Sequence, residues 1–148
     1  MTLSLRFTRR SVGHGVAALV LGVSGIAQGG SRPVGAVCHV TYGGETRQIH
    51  ATAGADPYTV SPTPIGSYFL FRAVFETLKG SPGGIKLYTY ADQEGGPVPI
   101  HVAHFSYPLE QTKPSRFGFT GEQFVYEPVR DGELHYWCEL ARGARKKQ

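Results

Sequence analysis

Short runs of alternating apolar and polar residues, separated by turn signals, limit the fold of this chain more than any other feature. Alternation places successive side chains on opposite faces of a strand, and Gly-Gly, Pro-Gly and Asp-Gly steps end strands. The candidate strands lie at residues 35–42, 45–51, 67–76, 85–91, 98–107, 122–127 and 133–141. The two longer connections, 53–66 and 108–119, are expected to run over the surface or cross between sheets. The pattern predicts an all-β fold: an antiparallel β-sandwich of about seven strands with immunoglobulin-like architecture.

Two cysteines, Cys38 and Cys138, lie in the first and last candidate strands, 100 positions apart. An even number of cysteines in an exported chain favours a disulfide, so we predict a bond that ties the first strand to the last. Closing so long a loop stabilises a fold by about 4–5 kcal/mol in the chain-entropy treatment. The competing interpretation, a thiolate pair that binds a metal, lacks the C-x-x-C spacing typical of such sites.

The first 27 residues have the order of segments found in export signals. Arg6, Arg9 and Arg10 form a basic start, residues 16–23 form a short apolar stretch, and small residues end at Ala27. The Arg9-Arg10 pair resembles a twin-arginine signal, although Gly13 stands where a second apolar residue is expected. The alternative interpretation of this segment is a buried N-terminal helix. We expect a periplasmic or secreted protein with a linker at 28–34, a β-sandwich domain at 35–141 and a basic tail at 142–148.

The excess of basic over acidic residues lies in the two ends of the chain. The 148 residues carry a net charge of +4, but residues 28–141 hold eight basic and eleven acidic residues, a net charge of −3. A nucleic-acid role needs a basic stripe across the folded body, and the sequence shows none. No apolar run reaches the 18 to 20 or so residues that span a bilayer.

The first hairpin fixes which side chains share a face. If Gly43-Gly44 is a two-residue turn, Tyr42 pairs with Glu45 and Cys38 lies opposite Ile49. Alternation then sends Cys38 to the inner face and His39 and His50 to the outer face. On the last strand the same rule points Cys138 inward. It points His135, Trp137 and Glu139 outward.

How the first and last strands meet decides whether these histidines converge. If the strands are antiparallel neighbours with the cysteines opposite each other, His39 lies across from Trp137 and diagonal to both His135 and His50. A parallel pairing, or a disulfide that crosses between sheets, separates them. Under the first arrangement His39, His50 and His135 could hold copper(II) or zinc. A methionine-rich copper(I) site is excluded, since Met1 is the only methionine.

Exposed aromatic residues offer the second candidate site. Lys86, Tyr88 and Tyr90 share one face of their strand, and with Trp137 the tyrosines could bind a protein or a glycan. The alternative is that both tyrosines belong to the sandwich interior.

One further strand carries two histidines. Because Val98, Ile100 and Val102 alternate, we expect this apolar face to turn inward, with His104 on the same face and His101 on the opposite one.

Motifs for catalysis are missing from the sequence. It contains no G-x-S-x-G elbow, H-E-x-x-H pair or P-loop, and both thiols are expected to be bonded. We therefore expect a small, non-catalytic, exported binding or accessory protein without a cofactor. A copper(II) or zinc protein is the alternative.

Overall fold

The structure, a computed structural model, describes residues 33–77, 83–109, 115–129 and 131–142. The predicted export signal, residues 28–32 of the predicted linker and the basic tail beyond Arg142 lie outside the described residues. The first strand begins at Pro33, two residues before the predicted start of the domain.

Regular structure in these ranges consists of β-strands, without a helix. The eight strands are β1 (Pro33–Tyr42), β2 (Glu45–Thr52), β3 (Thr63–Ile65), β4 (Phe69–Glu76), β5 (Gly83–Gln93), β6 (Gly96–Tyr107), β7 (Gln123–Glu127) and β8 (Gly132–Arg142). Each of the seven predicted strands is present. The three-residue strand β3 lies within the connection expected at 53–66. In the ranges described, no helix is long and apolar enough to cross a membrane.

The strands form two antiparallel four-stranded sheets that pack as a sandwich. Sheet A has the order β2-β1-β8-β7, and sheet B has the order β3-β4-β5-β6. Neighbouring strands in the described sheets are consecutive in the chain, with one exception. The first and last strands, β1 and β8, lie side by side at the centre of sheet A. The predicted β-sandwich is confirmed.

The disulfide joins these two central strands. Cys38 lies opposite Cys138 with 4.0 Å between the Cα atoms, and both side chains are fully buried. The Cys138 N–H donates to Thr120 Oγ1 at 2.8 Å, and the Cys138 carbonyl accepts from the Phe119 N–H at 2.9 Å. Because both backbone groups of Cys138 point away from β1, the cysteines form a non-hydrogen-bonded pair, in which facing side chains are closest. The predicted disulfide is confirmed.

The hairpin between β1 and β2 has the predicted register. Gly43 and Gly44 both adopt positive φ angles, 59° and 81°, which a two-residue turn of this kind requires and which glycine adopts without steric cost. Tyr42 faces Glu45 and Cys38 faces Ile49, as the turn predicts.

The core fills the space between the sheets with large side chains. Sheet B contributes its phenylalanines, and sheet A contributes aliphatic residues, the disulfide and one tyrosine. The ring of Phe71 meets the ring of Tyr136 edge-on, with 5.0 Å between centroids. Fully buried members include Val40, Leu134, Tyr136, Phe71, Phe75, Ile85 and Leu87. Burying one such side chain contributes about 1.5–3 kcal/mol, so this core is the main source of stability.

Replacing both cysteines by alanine is expected to lower the free energy of unfolding by about 2–5 kcal/mol, because the unfolded chain regains the entropy that the 100-residue link removes. Urea denaturation of the oxidised protein and of the variant measures this change. Wild-type protein under reducing conditions is the control, since it loses the bond and keeps both sulfur atoms. A change below about 1 kcal/mol in both comparisons would contradict the stabilising role of the bond.

Candidate functional site

The outer face of sheet A carries the three histidines that the sequence singled out. His39 lies opposite Trp137 and His135 opposite Thr41 across the β1–β8 pair, while His50 lies opposite Val37 across the β1–β2 pair. Of the three arrangements left open by the sequence, the antiparallel one is therefore present. The histidines form a diagonal line across β2, β1 and β8.

His39 and Trp137 stack closely on this face. Their ring centroids are 3.9 Å apart and their planes differ by 10°. The His39 Nε2 atom lies 3.2 Å from Glu139 Oε1, within hydrogen-bond distance, and Phe117 meets the Trp137 ring edge-on at 6.3 Å. One face of the indole is thus covered by His39, which leaves less of Trp137 available to stack on a ligand.

The His135 side chain makes the same kinds of contact as His39, with a different ring and a different carboxylate. Its ring stacks on Phe124 at 4.9 Å with planes 13° apart, and its Nε2 atom lies 3.2 Å from Glu122 Oε1. This distance suits an ion pair when the imidazole is protonated, but the angles do not make a hydrogen bond. The outer face of sheet A therefore holds two groups of the same kind, each with a histidine, an aromatic ring and a carboxylate.

The predicted metal site gains no support from this geometry. Across the described parts of the chain, no three histidine, cysteine, aspartate or glutamate side chains are placed to share one ion. His50 is exposed on the edge strand β2, and His39 and His135 each face their own carboxylate. Copper(II) or zinc binding by these histidines stays a prediction.

Tyr88 and Tyr90 lie on the outer face of sheet B. The alternating residues Ile85, Leu87 and Thr89 are fully buried on the other side of β5. The two tyrosines are half-buried, with ring centroids 6.0 Å apart and planes 18° apart. The alternative that placed them in the sandwich interior is wrong. Since Trp137 lies on the outer face of sheet A, it forms no single surface with the tyrosines.

Arg72, on the neighbouring strand β4, lies against the tyrosine pair. It is paired with Tyr88 across β4 and β5, and its guanidinium carbon lies 5.4 Å from the centre of the Tyr88 ring. Its Nη2 group donates a hydrogen bond to the Pro57 carbonyl, which fixes the side chain against the connection after β2. The buried Nε atom has no partner within the described ranges. Tyrosine and arginine held together in this way are the residue types most enriched in binding hot spots.

The residues of β6 that were expected to form a core face do not do so. Val98, Ile100 and Val102 are 42%, 40% and 56% exposed, and a register shift between Thr89 and Tyr90 puts Val98 opposite the buried Ala91 but Val102 opposite the outward-facing Tyr88. His104 is on the exposed face too, so its expected core position is wrong. The other face of β6 packs on the core through Ala103, Phe105 and Tyr107. Apolar residues occur on both faces of this strand, so alternation alone could not choose between them.

The inward face of β6 also holds a polar contact that sequence reasoning missed. His101 Nε2 and the Tyr136 hydroxyl are 2.8 Å apart, and they link sheet B to sheet A. Burial lowers the pKa of His101 below its usual 6.5 and raises the pKa of Tyr136. Thr89, paired with His101 across β5 and β6, has a buried hydroxyl without a hydrogen-bond partner in the described ranges. The neutral imidazole is thus the form that fits the interior.

A second buried polar contact joins β1 to β7. The Tyr42 hydroxyl donates to Glu127 Oε2 at 3.0 Å, and Glu127 is 1% exposed. Both groups lie close to Gly132, where an added Cβ would stand 2.9 Å from the hydroxyl and 3.0 Å from the carboxylate. This contact has a structural role at the turn before β8.

Comparison of the chain with protein-family models, curated proteins and solved structures finds no match. The functional interpretation therefore depends on the geometry of these two outer faces.

His101 makes stability depend on pH. Its folded pKa lies below the unfolded value of 6.5, so the unfolded chain binds more protons below that pH and the fold loses stability as the pH falls. Thermal unfolding between about pH 7.5 and 5 is expected to show a smaller decrease for His101→Gln than for wild type. The exposed His50→Gln variant is the control and should keep the wild-type slope. Equal slopes for wild type and His101→Gln would contradict the lowered pKa of the half-buried His101.

Proposed function

We propose that this chain is an exported, non-catalytic binding protein that engages a protein partner through the outer face of sheet B. The observation that carries the proposal is the patch formed by Tyr88, Tyr90, Arg72 and the exposed Ile100 and Val102. Val102 lies directly opposite Tyr88 across β5 and β6, so the aromatic and aliphatic parts are continuous. Contiguous exposed apolar surface edged by polar groups is typical of protein interfaces.

The composition of the patch favours a protein over a glycan. Exposed valine and isoleucine side chains offer a sugar no hydrogen bonds, whereas they complement apolar residues of a protein. Lys86, which shares the face, has its ammonium group 3.1 Å from the Glu76 carboxylate, so its charge is already neutralised. Glycan binding by the tyrosine pair is the alternative that the experiment below distinguishes.

Export is the second part of the proposal. It is supported by the order of segments in residues 1–27 and by the disulfide, which persists in oxidising compartments. A periplasmic or extracellular partner follows from this location.

Site-specific photocrosslinking tests the binding surface. A photoreactive phenylalanine analogue at Tyr88 or Tyr90 is expected to give a discrete protein adduct in exported material. The same analogue at Thr46, which is exposed on the outer face of sheet A, should give none. Identical adducts from both faces, or none from either, would contradict the proposal. Binding to a glycan array that is lost in Tyr88→Ala would replace the protein partner with a carbohydrate.

Protein sequencing of the exported form tests the location. The mature chain is expected to begin after Ala27. Replacing Arg9 and Arg10 by lysine should block export if the route is twin-arginine and spare it if the general secretory route is used. An uncleaved chain that stays in the cytoplasm in both forms would contradict export.

A further inference from the structure

Arg72 is the cation of the patch on the outer face of sheet B, and it has no acidic partner. Its guanidinium carbon lies 5.4 Å from the centre of the Tyr88 ring, and its Nη2 group donates to the Pro57 carbonyl. The Nε atom is buried without a partner, and among the described residues no carboxylate lies within ion-pair distance of the guanidinium. A partly buried charge without a counter-charge costs free energy, so a carboxylate brought by a partner is favoured there.

The acidic residues nearest to Arg72 along the chain and the sheet leave its charge uncompensated. The Oδ1 atom of Asp56 accepts a hydrogen bond from the Tyr58 N–H at 3.0 Å, and Asp56 makes no ion pair with Arg72. Asp92 shares a face of β5 with Tyr88 but lies four residues further along, which is about 13 Å at the rise of an extended strand. Arg72 therefore gives the patch a free positive charge.

Arg72, Tyr88 and Val102 form a row across three strands. Tyr88 lies opposite Arg72 on β4 and opposite Val102 on β6. Neighbouring strands are about 4.8 Å apart, so the two ends of the row are roughly 10 Å apart. Tyr88 is half-buried and Val102 is 56% exposed. The row thus presents a cation, an aromatic ring and an aliphatic side chain in that order.

We propose that the partner segment that binds this row is extended and carries a carboxylate and an apolar side chain about three residues apart. The carboxylate accepts hydrogen bonds from the Arg72 guanidinium, and the apolar side chain packs on Tyr88 and Val102. An extended chain advances about 3.3 Å per residue, so three residues span the row. Because it names the chemistry of the partner, this proposal rests on the proposed function of the same face.

A carboxylate suits the row better than a phosphate group. Phosphate recognition commonly uses clusters of arginines, because a phosphate brings close to two negative charges and three acceptor oxygens. The other cation on these strands, Lys86, has its ammonium group 3.1 Å from the Glu76 carboxylate. Arg72 is thus the single cation without a counter-charge on the described parts of this face. A carboxylate brings one charge in one plane, which a guanidinium matches.

Selection from a random dodecapeptide phage library on the immobilised, oxidised mature chain tests the proposal. We expect enrichment of sequences in which aspartate or glutamate stands about three positions from an aromatic or aliphatic residue, and we expect Tyr88→Ala to abolish it. Arg72→Glu reverses the charge of the site, so its selection should enrich lysine or arginine in place of the acid. Arg47→Glu is the matched control: Arg47 is a half-exposed arginine of sheet A, and its reversal should leave the wild-type preference unchanged.

An enriched peptide with one acidic residue then allows a quantitative test by fluorescence anisotropy. Arg72→Gln is expected to raise the dissociation constant at least about tenfold, and replacing the acid of the peptide by its amide should do the same. Combining the two changes should add little, because both remove the same contact. Circular dichroism verifies that each variant keeps the fold.

The possible failures of the two proposals are distinguishable. Peptides that depend on Tyr88 but show no acidic preference, or one that Arg72→Glu leaves unchanged, would overturn the partner chemistry and leave the binding surface in place. A selection without any peptide that depends on Tyr88 would overturn the partner chemistry as well. The binding surface itself would fail only if photocrosslinking at Tyr88 and Tyr90 also gave no discrete adduct.

Discussion

The bond between Cys38 and Cys138 is the constraint on which the rest of the structure depends. Among the strands that the structure describes, it links the only two sheet neighbours that are not consecutive in the chain. Without the β1–β8 pair, sheet A would separate into two hairpins, and an isolated hairpin is marginally stable in water. The bond sits at a non-hydrogen-bonded pair and therefore also fixes the register between the first and last strands. A shift of β1 by one residue against β8 would turn the His39 side of β1 into the core.

This register gives the two outer faces of the sandwich different properties. On sheet A, His39 and His135 are each stacked on an aromatic ring and each lie beside a carboxylate. On sheet B, Tyr88 and Tyr90 adjoin exposed aliphatic residues of the edge strand β6. Burying apolar surface is the main driving force for association, so a partner that covers the exposed aliphatic residues of the second face would gain free energy of binding.

Much of the fold could be predicted from the sequence, because its strands end in explicit turn signals. The Gly43-Gly44 turn sets the β1–β2 register, and the cysteines select the partner of the first strand. The faces of β1 and β8 follow from alternation, since each has one face that is clearly more apolar. On β5 the sequence left open whether Tyr88 and Tyr90 point outward or into the interior. The three-residue strand β3 was missed because it is too short to show a period.

The candidate site was harder to predict, for a physical reason visible in β6. Ala103, Phe105 and Tyr107 pack on the core, whereas Val98, Ile100 and Val102 are exposed, and a register shift within the strand interrupts their alternation. The strand carries apolar residues on both sides, although only one side packs on the core. Pro97 and Pro99 were the available signal, since proline within a sheet is confined to edges, strand starts and bulges. The contact between His101 and Tyr136 joins residues of different sheets, and no local sequence pattern predicts such a contact.

The most direct test of the account is peptide mapping of the exported protein without reduction, after free thiols have been blocked. The account predicts one crosslinked species that joins the peptide of β1 containing Cys38 to the peptide of β8 containing Cys138. Recovery of both cysteines in blocked form, from protein that has reached its oxidising compartment, would contradict it. The register that separates the two outer faces would then lose its covalent support.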